Sequence, residues 1–152
     1  MAISNAMCLS YKQDLFGGTH VAADVYKIIL IKVGAVGTYD ATFQAGGTPG
    51  AGTPSATNIG TDEAAGTGYT TGGATLAGFS VTLQGTTAVL DFTTPTWPTA
   101  TVSAIGAVII NTSKSNKAVA TFTFGGTITS TGATFTASMP AVGSGTSLLR
   151  IA

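Results

Sequence analysis

Charge is the scarcest resource in this chain. Asp, Glu, Lys and Arg together make up 8% of 152 residues, against roughly 25% in ordinary soluble domains. Six acids balance six bases, so the net charge is zero. Nucleic-acid binding needs a positive field to neutralise phosphates, and this composition excludes one; no nucleic-acid partner is expected. A single cysteine, Cys8, excludes an internal disulfide, in keeping with folding in a reducing cytoplasm. A zinc site needs several nitrogen or sulfur ligands. The chain offers one histidine, His20, and neither CxxC nor HExxH, so no metal or other cofactor is expected. Apolar runs such as Ile28 to Ile31 fall far short of the ~20 residues that span a bilayer. Met1 to Ser10 has neither the basic nor the apolar part of a signal peptide. No membrane association is expected.

Catalytic patterns are equally thin. There is no GxSxG elbow and no DxDxDG calcium loop. Gly66, Gly68 and Gly72 are spaced GxGxxxG, with no apolar strand before them and no amphipathic helix after them. The dinucleotide fingerprint requires both, so these glycines are expected at bulges and a tight turn. The carboxylates are Asp14, Asp24, Asp40, Asp62, Glu63 and Asp91, and only Asp62 and Glu63 are neighbours. A glycan hydrolase needs two carboxylates about 5–10 Å apart, and nothing in the sequence brings a pair together. Asn111-Thr112-Ser113 matches the glycosylation sequon, which acts only in a secretory pathway. No enzymatic activity is expected.

What the chain does hold is glycine, threonine, alanine and serine around short apolar runs. Threonine favours strands and glycine supplies turns. Val25–Val33 is apolar on both faces, the mark of a strand covered on both sides. Phe79–Leu83 alternates, apolar in and polar out. After a turn at Gln84-Gly85-Thr86, Thr87–Phe92 follows, with Ala88, Leu90 and Phe92 on one face, so the two runs read as a hairpin. Pro95-Thr96-Trp97-Pro98 interrupts the ladder and places Trp97 as a plug at a corner of the core. Val102–Ile110 is apolar on both faces and should be the most buried strand. Lys117–Phe124 returns from a polar loop and ends at Gly125-Gly126. Thr134–Met139 and Ser147–Ile151 complete the set. About eight strands separated by turn signals predict an all-β fold, an antiparallel β-sandwich or jelly-roll-like barrel. At 152 residues a single domain is expected, large enough to build a core without disulfides.

Two segments stand apart from the strands. Ser4–Phe16 is the helical candidate: Ser4 or Asn5 suits an N-cap, Met7, Tyr11 and Leu15 recur on one face, and Gly17-Gly18 offers a left-handed exit. With it, residues 1–18 read as a helix closing one end of the domain or as an arm docking on a partner. Residues 34–68 form a long Gly/Thr/Pro-rich loop with weak periodicity, anchored at most by Tyr39 and Phe43. Such a loop is functional or partly disordered. The scarcity of charge suggests that much of the surface is covered by other subunits. The candidate interface residues are therefore Met7, Tyr11, Leu15, Phe16, Tyr39 and Phe43.

Five segments taken in order carry a resemblance: ISNAMCLSYKQDLFGGTH, GTGYTTGGATLAG, AVLDFTTPTW, GAVIIN and NKAVATFTFGG. Together they resemble a widespread family of small tailed-bacteriophage structural proteins. In that family's pattern an acidic residue precedes the GTGY element, as Glu63 does here, and a DF…W strand pair corresponds to Asp91-Phe92 and Trp97. The chain departs from the pattern at Thr123, where the family often has Asp, and at Ile110, where it often has Tyr. The resemblance covers most of the chain except residues 34–62. It implies a virion protein similar to capsid decoration (cement) proteins, assembled in the bacterial host cytoplasm and located on the capsid surface. The implied partners are the major capsid protein and further copies of the chain, as a dimer or trimer. The alternative is a tail or tail-fibre component that contacts a host receptor.

Overall fold

The computed structural model describes residues 2–152. It is an all-β, sandwich-like fold of several open sheets with one α-helix, and no sheet closes into a barrel. In chain order the elements are β1 (Ala2–Ile3), β2 (Ala6–Met7), α1 (Leu9–Phe16), β3 (Tyr26–Lys32), β4 (Thr38–Tyr39), β5 (Ala74–Thr75), β6 (Ser80–Gln84), β7 (Thr87–Asp91), β8 (Thr96–Asn111), β9 (Lys117–Thr136) and β10 (Leu149–Ile151). The main sheet has the order β2-β9-β8-β3-β5 and a second sheet the order β10-β7-β6, while β1 and β4 make a short parallel pair.

The core lies on the main sheet. Ile28 to Ile31 of β3 and Ala107 to Ile110 of β8 are buried throughout, because both faces of these strands are covered. Trp97 packs inside, against Tyr69 and Phe135. The strands are interrupted at Pro95, in the gap between β7 and β8, but Thr96-Trp97-Pro98 already belongs to β8. The ladder to β9 is irregular between Trp97 and Ala100, where Thr99 adopts φ 54°, and such a bulge lets Pro98 occupy a strand without a lost ladder bond. Nor does β9 stop at Gly125-Gly126. Residues 124–127 bulge out opposite Ile105, and pairing resumes at Ile128, so the expected Thr134–Met139 strand begins as the continuation of β9. Val119 and Thr121 are buried along with Ala118, Ala120 and Phe122, so this half of β9 is covered on both faces.

The N-terminal segment is part of the domain and not a free arm. The helix begins only at Leu9, because the residues before it are drawn into strand pairing: Ala6 and Met7 lie against Thr121 and Ala120 of β9. Asn5 does not cap the helix; its Oδ1 accepts from the Thr123 amide at 3.0 Å. The exit follows the glycines, with Gly18 at φ 63° and Thr19 N–H returning to the Asp14 carbonyl at 3.1 Å.

Residues 34–68 differ most from expectation. The segment carries β4 and a 3-10 turn at Gly60–Asp62, and it is pinned down by buried acids. Asp62 accepts from the amides of Val36 (3.0 Å) and Gly37 (2.7 Å) and from the Tyr39 hydroxyl (2.8 Å). Its C-terminal end covers the edge of β3 beyond the short β5: Ala64 N–H donates to the Leu30 carbonyl at 2.8 Å, and Leu30 N–H donates to the Tyr69 hydroxyl at 3.1 Å. Loop and sheet approach so closely that a Cβ on Gly66 would fall 1.9 Å from the Thr101 carbonyl oxygen. That contact, and not phosphate binding, explains a glycine there.

Candidate interaction surface

The titratable groups concentrate in two clusters, and both serve the fold. The first joins α1, the following loop and the adjacent ends of β8 and β9. Asn111 Nδ2 donates to Asp24 Oδ2 at 2.8 Å and to His20 Nδ1 at 2.9 Å. Nδ1 is therefore the acceptor, and Nε2 carries the proton directed at Asp14 Oδ2, 3.3 Å away. Lys117 Nζ donates to the same Asp14 oxygen at 2.6 Å, and the Tyr11 ring tilts against the imidazole at 4.5 Å between centroids. Burial pushes His20 below its ordinary pKa, against the opposing pull of Asp14. The bond from Lys117 holds Asp14 low, and the bond from Asn111 holds Asp24 low. Both imidazole nitrogens are thus engaged with neighbouring side chains.

The second cluster is the Asp62-Glu63 pair. Glu63 Oε1 accepts from the Tyr69 hydroxyl at 2.8 Å and from the Gly72 amide at 2.7 Å. Its Oε2 is buried with no partner among the described residues. Burial raises the Glu63 pKa above the ordinary value, and the bonds from Tyr69 and Gly72 only partly oppose this. Asp62 and Glu63 thus turn to opposite sides: one gathers residues 36–39, the other residues 69–72. Among the described residues no group of three or more His, Cys, Asp or Glu is placed to hold a metal ion. No helix among them is long and apolar enough to cross a membrane. Cys8 is fully buried, and its thiol is pushed up to about 12 by that burial.

The unusual surface lies elsewhere, where α1 meets the second sheet. In that sheet Val81 pairs with Leu90 and Leu90 with Leu149; Leu83 pairs with Ala88 and Ala88 with Ile151. Directly paired residues share a face, so one face of the sheet is wholly apolar. Only its inner part is covered. Leu149 is buried, but Ile151 is 54% exposed, Val81 61% and Leu83 73%. At the end of α1, Phe16 stands 99% exposed. An open groove of about 500 Å³ runs between Leu15, Phe16 and Met7 on one side and Ile151 and Arg150 on the other. Isolated exposed apolar residues need no explanation, but a contiguous group on one sheet face marks an interaction surface.

The residues expected at the interface divide sharply. Tyr11, Tyr39 and Phe43 are buried in the chain's own core, and Met7 is largely buried but borders the groove beside Leu15 and Phe16. Tyr39 and Phe43 pack against each other with tilted rings, 5.1 Å between centroids, within the segment they were expected to anchor. Leu15 is partly buried against the core, and Phe16 alone is fully exposed. The exposed apolar residues that the sequence did not single out are Val81, Leu83 and Ile151. Their alternation was visible, but the apolar face of Phe79–Leu83 was expected to point inward. In Thr87–Phe92 the buried positions are Thr87, Val89 and Phe92, so the segment is covered in part on both faces.

No protein-family model matches the chain, and neither a curated protein nor a solved structure is found similar to it.

Proposed function

We propose that this chain is a structural subunit of a tailed-bacteriophage virion, a capsid decoration protein that binds at junctions between major capsid proteins and stabilises the head. The observation that carries the reading is that the segments bearing the family resemblance are mutual partners in space. His20 of the first segment meets Asn111 of GAVIIN at 2.9 Å. Glu63 clamps Tyr69 and Gly72 of GTGYTTGG, and Tyr69 in turn packs on Trp97 of the DF…W element at 5.7 Å between ring centroids. The near absence of charge supports the same reading, because the buried centres of subunit interfaces are depleted of charged residues.

A decoration protein acts by binding, adding contact area between neighbouring capsomers so that shell expansion must first break those contacts. The test is to quantify the chain in purified virions by mass spectrometry. A copy number comparable to that of the major capsid protein is the expected result. A copy number far below it would move the protein to the tail, and absence from the particle would overturn the virion reading altogether.

A further inference from the structure

The second sheet ends in an unguarded strand. β6 is the outermost strand of the order β10-β7-β6, and all five of its residues are exposed. Natural edge strands are protected by lysines, prolines, bulges or a covering loop. Ser80-Val81-Thr82-Leu83-Gln84 has no charge and no proline, and its pairing with β7 is regular from end to end. At the main sheet, by contrast, the free edge of β3 is covered by residues 63–69.

The direction of the free backbone groups follows from the hairpin. Gln84 and Thr87 flank a two-residue turn whose first residue, Gly85, has φ 66°, the sign that a type II′ turn requires. Such a turn closes on a hydrogen-bonded pair. Alternation then bonds Thr82 and Ser80 to β7 and turns the N–H and C=O groups of Val81 and Leu83 outward.

We propose that β6 pairs antiparallel with β6 of a second copy of this chain, about a two-fold axis through Thr82, joining two three-stranded sheets into one. In that register Val81 of each copy faces Leu83 of the other. Both outward-facing residues of each copy then find partners, Thr82 lies opposite Thr82, and Ser80 lies opposite Gln84. The apolar faces meet on one side and the polar faces on the other. The segment is therefore complementary to itself, in polarity and in hydrogen bonding, as a two-fold interface demands. A charged partner would find no countercharge along the strand. The pairing rests on the edge strand alone and holds whether or not the subunit sits on a capsid.

Single cysteines read the register. A Thr82–Thr82 pair is of the non-hydrogen-bonded type, with Cα atoms about 4.5 Å apart, within the about 4.4–6.8 Å span of disulfides. Thr82→Cys should give a disulfide-linked dimer on mild oxidation. Ser80→Cys and Gln84→Cys should each remain uncrosslinked alone and crosslink when mixed. Wild-type protein is the control, since Cys8 is fully buried. Sedimentation velocity of the wild type should show a reversible species of twice the subunit mass. Val81→Pro, which removes an outward N–H and no bond of the hairpin, should abolish it with an unchanged circular dichroism spectrum. If that variant does not fold, Leu83→Lys at the exposed edge replaces it, with the same loss expected. A wild type that stays monomeric at every concentration would overturn the proposal. So would crosslinking of Ser80→Cys alone as fast as Thr82→Cys, or dimerisation that survives both edge variants.

Discussion

The two main sheets of this chain are built from similar residues and have opposite fates. In the five-stranded sheet, β3 and β8 are covered on both faces, and the edge of β3 is closed by a loop. In the three-stranded sheet the apolar face is only half covered and the β6 edge is bare. The difference is not one of composition, since Val81 and Leu83 are as apolar as Val102 and Ile109. It lies in what the rest of the chain supplies. The long segment 34–68 and the N-terminal residues are both spent on the main sheet: Asp62 and Glu63 fasten the first, and Asn5 and Ser4 fasten the second to β9. Tyr11 and Leu15 of α1, with Met7, line the inner part of the smaller sheet's apolar face and leave Val81 and Leu83 exposed.

The contrast is broken most directly by truncating one large residue in each sheet. Phe122 in β9 is buried, and Phe122→Ala should lower the unfolding free energy by about 3–5 kcal/mol, since it removes the ring and leaves a cavity. Leu83→Ala, at an exposed site, should stay within about 0.5 kcal/mol. Urea denaturation at low protein concentration measures both. Similar losses at the two sites would mean that the smaller sheet's outer face is covered after all.

A smaller effect tests the covering loop. Tyr69 both donates to Glu63 and accepts from Leu30 N–H, deep inside the structure. Tyr69→Phe keeps the ring and strands a buried carboxylate and a buried amide, at a cost of about 1–3 kcal/mol. A Thr82→Val change at the uncovered edge, where water meets every polar group, should be near neutral in the same assay. A neutral Tyr69→Phe would deny the clamp its role in holding residues 63–69 over β3.

How much of this was legible in the sequence depends on what signal each element carries. Val102–Ile110 announced itself, because a strand covered on both faces carries apolar residues on both. The hairpin of β6 and β7 was equally readable as strands. Alternation, however, identifies an apolar face without saying whether anything covers it, and so Val81 and Leu83 were expected inside. The order within residues 34–68 was invisible for a different reason. It comes from carboxylates binding backbone amides far along the chain, as Asp62 does with Val36 and Gly37, and such contacts leave no period. Tyr39 and Phe43 were rightly picked out as anchors, but they hold the segment inward and do not offer it to a neighbour. The same limit applies to Met7 and Tyr11. A four-residue recurrence predicts a shared helical face, but Met7 is drawn into β2 against Ala120 while Tyr11 turns into the core.

Acidity separates the two sheets as well. His20 is held below its ordinary pKa chiefly by burial, so its contribution to stability is complete above the unfolded value near 6.5. That contribution is lost as pH falls through the lower folded value. Asp14 and Asp24, also held low, add to the loss at more acidic pH. Glu63 opposes them: its raised pKa gives stability that is present below the unfolded value near 4.5 and lost as pH rises through the folded one. All four groups serve the main sheet and its loops. The loss from His20 should therefore show as a narrowing gap between the melting temperatures of wild type and His20→Gln as pH falls from 7 toward 4. A variant curve parallel to the wild type would exclude this role for His20.

The smallest effect concerns β6, and it is one of concentration. Leu83→Thr keeps a strand-forming residue and exchanges an exposed apolar side chain for a polar one. In dilute solution its unfolding free energy should match the wild type within about 0.5 kcal/mol. An association that involves the folded state only raises the melting temperature with concentration, by mass action. The wild-type melting temperature should therefore climb as protein is concentrated, and that of Leu83→Thr should climb less. Scanning calorimetry over a concentration series measures both slopes. Equal slopes would mean that Leu83 is as idle in the concentrated protein as it is in the dilute one, and that the half-covered sheet is complete as it stands.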